Sequence, residues 1–195
     1  MKKNVSAMVL LFLAVFLTFE AALPAQTEQL TPPALPVFAW HECPFEGCMY
    51  GPWTAVGRVT LYSTWKKSRR RVGALNAGDK VVGVTGVVIT FKPGIVRVDT
   101  DAIGAPPNNL EFTRGDIILT YAYHGEGETA AWFKGRYYEH FDLTFADGAG
   151  CVSDCLATYI DHGHKEWWAE VKLHSGKTAW VLMDGAKFTG VDALG

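Results

Sequence analysis

Four groups of residues in this chain carry side chains suited to chemistry. The first is a run of cations beside an indole: Trp65, Lys66, Lys67, Arg69, Arg70 and Arg71. Ammonium and guanidinium groups at this density suit the phosphates or carboxylates of an anionic polymer, and Trp65 is placed to stack on a ligand. The same run also reads as a solvated loop that keeps a strand edge soluble. The second group is two tight cysteine pairs. Cys43 and Cys48 enclose Pro-Phe-Glu-Gly, and Cys151 and Cys155 enclose Val-Ser-Asp, with His41, His162 and His164 close by. Thiolates with imidazoles suit zinc, but neither pair has the two-residue spacing of a zinc knuckle. The third is His124 with Glu126 and Glu128 between glycines, a composition that suits acid–base work or a cation, or simply a mobile polar loop. The fourth is Asp161-His162-Gly163-His164, where two imidazoles two residues apart share a metal or sit in an exposed turn. No nucleophile elbow, phosphate loop or dinucleotide fingerprint is present. The expectation is therefore no catalysis, no cofactor and no metal.

The N-terminus indicates a compartment. Lys2 and Lys3 precede an apolar run from 7 to 19, followed by Glu20, Pro24 and Ala25. This is the order of a secretory signal peptide, and the run is shorter than the roughly 18–20 residues that span a bilayer. Cleavage is expected after Ala25, which makes the protein secreted or periplasmic, with no stable membrane insertion afterwards. The Lys-Lys start has a bacterial look. The remaining residues, from Gln26 onward, hold 16 basic and 19 acidic side chains, a net charge of −3. Nothing in that balance favours nucleic acid. Export also favours disulfides over free thiols. Four cysteines permit three pairings, and the local one, Cys43 with Cys48 and Cys151 with Cys155, is expected. A six-residue ring stabilises by only about 2 kcal/mol in the chain-entropy picture, so such bonds mainly stiffen loops.

These groups need strands to hold them. Residues 26–36 are polar and contain Pro32, Pro33 and Pro36, a flexible lead-in. Residues 37–53 hold Phe38, Trp40, Phe45, Tyr50 and Trp53 around the first cysteine pair and read as an irregular element packed on the core. From Thr54 to about Asp99 the chain alternates as strands do. Lys92-Pro93-Gly94 reads as the turn of a hairpin joining 87–91 to 95–98. Residues 104–109, with Pro106 and Pro107, read as a linker. Strands return at 118–123 and 132–141, joined through a flexible 124–128 loop, and 145–165 looks like an insertion carrying the second cysteine pair. Residues 167–181, Trp-Trp-Ala-Glu-Val-Lys-Leu-His-Ser-Gly-Lys-Thr-Ala-Trp-Val, form a closing hairpin with one buried and one wet face. A tail follows, with Phe188, Val191 and Leu194 as its apolar residues. No long apolar stripe at helical spacing appears.

One pattern occurs twice. Leu75-Asn76-Ala77-Gly78-Asp79-Lys80-Val81 and Phe112-Thr113-Arg114-Gly115-Asp116-Ile117-Ile118 both read as apolar, two spacers, Gly-Asp, one spacer, aliphatic. Gly-Asp makes the turn that redirects the strand. The first copy, together with the preceding Val59-Thr60-Leu61 strand and the polar loop after it, resembles the opening of a bacterial SH3-like domain. The closing hairpin is similar to the last hairpin of that family. The resemblance implies a mainly β protein of small SH3-like barrels, two in tandem or one merged, with disulfide-pinned loops. On that reading the chain divides into 1–25, 26–53, 54–103, a 104–111 linker, and an enlarged unit from 112 to 195. It also implies a non-catalytic binding module of the cell envelope, whose partner is peptidoglycan, an anionic polymer, a peptide or a protein. A secreted inhibitor or effector acting on a protein through a loop, and a small zinc hydrolase using His41, the cysteines and His162 or His164, are the other two readings. The first and second are told apart by substituting Pro44, Phe45 or Glu46, the third by the oxidation state of the cysteines.

Overall fold

Alternating aliphatic and polar residues favour extended chain, and several strands here follow that alternation. A computed structural model describes residues 31–105 and 110–193. The signal-peptide expectation lies outside the described residues, as does the middle of the Pro106-Pro107 segment. The described residues form sixteen strands and no helix: β1 (Val37–Trp40), β2 (Pro52–Ala55), β3 (Val59–Tyr62), β4 (Arg71–Leu75), β5 (Lys80–Lys92), β6 (Gly94–Val98), β7 (Ala102–Ala105), β8 (Leu110–Phe112), β9 (Ile117–Gly125), β10 (Glu128–Phe133), β11 (Arg136–Asp142), β12 (Ala146–Asp147), β13 (Ala157–Asp161), β14 (His164–Lys172), β15 (Thr178–Leu182) and β16 (Phe188–Thr189).

They build two curled sheets of half-barrel form. The first runs β16-β2-β5-β14-β15-β3-β4, with β1 also paired to β5; the second runs β11-β10-β9-β6-β13-β12. The closing hairpin forms, with Lys172 opposite Thr178. Its partners are β5 and β3, so the end of the chain returns to the first sheet. The second sheet is thus built from residues lying between two strands of the first. Strands β7 and β8 pair with each other, Ala105 opposite Leu110, at the two ends of the Pro106-Pro107 segment.

The long strand β5 joins the sheets. Its first half alternates, with Val81 inside and Val82 and Val84 exposed. From Gly86 to Thr90 both faces are covered. Val87 and Ile89 pack with Trp168, Tyr62 and Trp65 on one side. Val88 packs with Tyr121, Ala122 and Ala130 of the second sheet on the other, where Val37, Ala39 and Trp167 join. Continuous burial of this kind needs an unbroken aliphatic run, and Val87-Val88-Ile89 supplies it. Each large side chain fully buried in this way contributes roughly 1.5–3 kcal/mol. Separate cores lie under each sheet, around Trp53, Val171 and Val181 in the first and around Phe112, Phe133 and Phe141 in the second.

Three expectations need correction. Lys92-Pro93-Gly94 is not a hairpin turn: β5 pairs with β1, β2 and β14, whereas β6 pairs with β9 and β13. Pro93 marks the passage between sheets, where a missing N–H costs no ladder bond. Gly94 is required there by close approach, because a Cβ would lie 2.4 Å from Thr120 Oγ1. Residues 124–128 are not a flexible loop. His124 and Gly125 end β9, and Glu126 and Gly127 both take positive φ in a tight two-residue turn, the primed geometry that suits a twisted hairpin. Residues 132–141 are not one strand but two, folded back at Lys134-Gly135 by the same kind of turn.

Candidate ligand-binding groove

The basic run lies on the connection between β3 and β4. Ser63 N–H bonds to the Arg70 carbonyl at 2.9 Å, Arg70 N–H to Ser63 Oγ at 3.1 Å, and Arg69 N–H to the Lys66 carbonyl at 2.9 Å. These bonds hold the backbone of the loop from which the cations project. Lys66, Lys67 and Arg69 line a groove of about 300 Å³ together with Trp65, Phe38 and Phe91. Arg70 and Arg71 are exposed but do not line it, and Arg71 already belongs to β4, opposite Tyr62.

Aromatic rings frame the groove. Trp65 is half-buried, and its ring centroid lies 5.4 Å from those of both Phe38 and Trp40, at 57° and 76°. Phe38 and Trp40 keep 42% and 47% of their surface exposed, which leaves two large apolar faces in solvent. The Arg69 guanidinium sits 4.9 Å over the buried Trp168 ring, and Lys66 Nζ lies 5.8 Å from the Trp65 centroid. Such contacts orient the cations without neutralising them. At the far wall, Glu166 accepts from Trp168 Nε1–H at 2.7 Å.

Phe38 and Trp40 flank the basic loop, and the irregular packed element expected at 37–53 opens here on a regular strand. In that strand Val37 and Ala39 point to the core and the two aromatics point out. The signal was present as period-two alternation with the small residues inside. Tyr50 and Trp53, by contrast, turn inward, as expected of residues packed on the core. Trp53 is buried and donates to the Met49 carbonyl at 3.0 Å. Tyr50 donates to the Glu42 carbonyl and accepts from Trp167 Nε1–H at 3.2 Å. Burial pushes the Tyr50 phenol up to about 12.

Both disulfides form in the local pairing, with Cα separations of 5.5 Å and 5.7 Å. The cysteine sulfurs are therefore joined to one another, and no thiolate is left for zinc. The histidines of that reading are also dispersed: His41 bonds to Thr85 Oγ1 at 2.8 Å, His162 stacks on Tyr159 and His164 stacks on Phe91. Among the described residues no cluster of three or more His, Cys, Asp or Glu side chains is arranged for a metal.

The Cys43–Cys48 ring is tied to the second sheet. Glu46 Oε2 accepts from Tyr123 OH and from Glu126 N–H, both at 2.8 Å, and these bonds hold its carboxyl below the usual range. Just before the ring, Glu42 Oε1 lies 2.9 Å from His124 Nδ1. The His124 ring packs 5.1 Å from that of His140, which pairs with Glu128 at 2.8 Å. The side chains of His124 and Glu128 thus serve contacts between elements.

No family model, curated protein or solved structure matches this chain, so its reading rests on the geometry above.

Proposed function

We propose that this protein is a non-catalytic binding module exported to the bacterial cell envelope, and that it grips an anionic envelope polymer in the groove between β1 and the β3–β4 loop. The observation that carries this reading is the coincidence of three clustered rings, Phe38, Trp40 and the half-buried Trp65, with three exposed cations, Lys66, Lys67 and Arg69. Aromatic faces take the apolar faces of a polymer's repeating units, while the cations take its charges. A solvated loop needs no exposed Phe and Trp beside it, which favours a contact surface. Two curled β units, each entered by a Gly-Asp turn, support the further proposal that the architecture is SH3-like. The inhibitor reading gains no support from the Cys43–Cys48 ring, since Glu46 in that ring is engaged by Tyr123 and Glu126 of the same chain.

The test is sedimentation of the purified protein with cell-wall sacculi that carry their anionic polymers and with sacculi stripped of them. Wild type is expected to co-sediment with the first, less so at high salt because counterions screen the cations. The triple variant K66Q/K67Q/R69Q and the single variant W65A are each expected to lose retention while keeping a native fold. Equal retention on both sacculi, or a triple variant that binds as wild type does, overturns the reading.

A further inference from the structure

A second concavity of opposite character lies on the other sheet. It has a volume of about 530 Å³, within the range of small-molecule sites. Its floor and sides are apolar, from Phe45, Leu143, Ala149 and Tyr159. Its charged residues are Glu46 and Glu126, and among the described residues no Lys or Arg lines it. Glu46 uses Oε2 to hold Tyr123 and the Glu126 amide. Glu126 is exposed, and its carboxylate has no hydrogen-bond or ion-pair partner among the described residues.

The two disulfides, more than a hundred positions apart in sequence, serve this one cleft. Pro44, Phe45 and Glu46 lie inside the Cys43–Cys48 ring and form one wall. Residues 148–150 form another and lead straight into the Cys151–Cys155 ring. Each ring is too short to stabilise the fold much, as the loop-entropy argument shows. Stiffening the walls of a cavity is what such short rings do well, because it lowers the ordering cost of binding.

We infer that this cleft is a preformed site for a small organic cation, an ammonium group on an apolar body, with the body against Phe45, Leu143 and Tyr159 and the charge against Glu46 and Glu126. The unpartnered Glu126 carboxylate, the Glu46 carboxylate beside it and the lack of a lining cation favour positive charge, and the apolar walls suit an organic body better than a bare metal ion, which needs oxygen ligands all around it. The site is independent of the basic groove.

The probe is phenethylamine, followed by ¹H–¹⁵N chemical shifts of the whole protein. Saturable shifts are expected at Glu126, Ala149 and Gly150. The anion 3-phenylpropionate, which carries the same phenethyl body, is expected to shift none of them. The variant E126Q removes a charge that holds nothing in place, so its spectrum should remain that of the folded protein. Its affinity for phenethylamine should fall about threefold to tenfold, the loss of one partly exposed charge pair. K66Q/K67Q/R69Q should bind phenethylamine as wild type does, which separates this site from the groove. Comparable binding of both probes, an unchanged affinity in E46Q/E126Q, or no saturable shift with phenethylamine overturns the inference.

Discussion

The two Gly-Asp corners of this protein are built alike and furnished differently. In each, the Asp carboxylate accepts from the backbone N–H three residues earlier: Asp79 from Asn76 at 2.7 Å, Asp116 from Thr113 at 2.8 Å. In each, the glycine has a positive φ, 90° and 94°, and its N–H reaches back across the sheet, Gly78 to the Ala55 carbonyl and Gly115 to the Val98 carbonyl, both 2.8 Å. The strand leaving each corner then pairs with the strand three places earlier in the chain, β5 with β2 and β9 with β6. By register, Trp53 opposite Val81 occupies the place of Val96 opposite Ile118. The contents differ there. The bulky Trp53 in the first sheet is accommodated by Gly83, whose missing Cβ would lie 2.5 Å from the indole. The equivalent position of the second sheet holds Thr120, and the space is made instead by Gly94 on the neighbouring strand. The backbone frame is shared, and each core meets its steric demand with a glycine on a different strand.

Swapping the contents is the strongest way to break this comparison. Gly83→Ala drives a methyl into the indole of Trp53 and is expected to cost up to about 3 kcal/mol, the upper end of the range for overpacking a filled core. In a Trp53→Val background the same change should cost less than about 1 kcal/mol, because the side chain now matches its counterpart Val96. Urea unfolding of the four proteins of this cycle gives the coupling directly. If the cost of Gly83→Ala is the same in both backgrounds, the glycine is not there for the indole and the correspondence between the sheets fails.

The seam between the sheets has no such counterpart and carries a misplaced charge. Lys165, opposite Thr90, shares a face of β14 with Trp167, which packs at the seam. Burial pushes its ammonium down to about 8. A base whose folded value is depressed is destabilising while charged. Below pH 8 both folded and unfolded chains carry the proton and the full cost is present. Between about 8 and 10.5 the unfolded chain binds more protons, so stability rises with pH. Lys165→Met is therefore expected to stabilise the protein by about 1–2 kcal/mol at pH 7, after allowing for partial exposure of the lysine. That gain should fade as pH passes from 8 towards 10.5. Thermal unfolding at pH 7 and pH 10 measures it, and an equal gain at both would show that the ammonium is not the cause.

What the sequence made legible was local. The Gly-Asp corners, the closing hairpin and the paired cysteines depend on residues within a few positions of one another, and each forms as its chemistry dictates. What stayed hidden depends on partners far along the chain. Pro93-Gly94 suits a hairpin as well as it suits a passage between sheets, and only the pairing of β5 with β14, some eighty residues on, decides between them. The cations of 66–71 were legible as a basic run, but the groove that Lys66, Lys67 and Arg69 line also needs Phe38 from an earlier strand and Glu166 from a much later one. The acidic cleft was not legible at all, because one wall lies inside the first cysteine ring and another is the segment leading into the second, about a hundred residues on.

The smallest expected effect tests the corners themselves. Asp79→Ala and Asp116→Ala each remove a carboxylate that accepts one exposed backbone N–H, and each should cost about 1 kcal/mol, as the loss of a helix-capping side chain does. Asp116 differs in one respect, since Lys134 Nζ lies 2.9 Å from the same Oδ2. An exposed pair of this kind adds no more than a few tenths of a kcal/mol, so the two costs should agree within that margin. They should also add in the double variant, because the corners share no side-chain partner. A cost at Asp116 well above that at Asp79, which Lys134→Met removes, would mean that the second corner is held by its lysine and only the first by its turn.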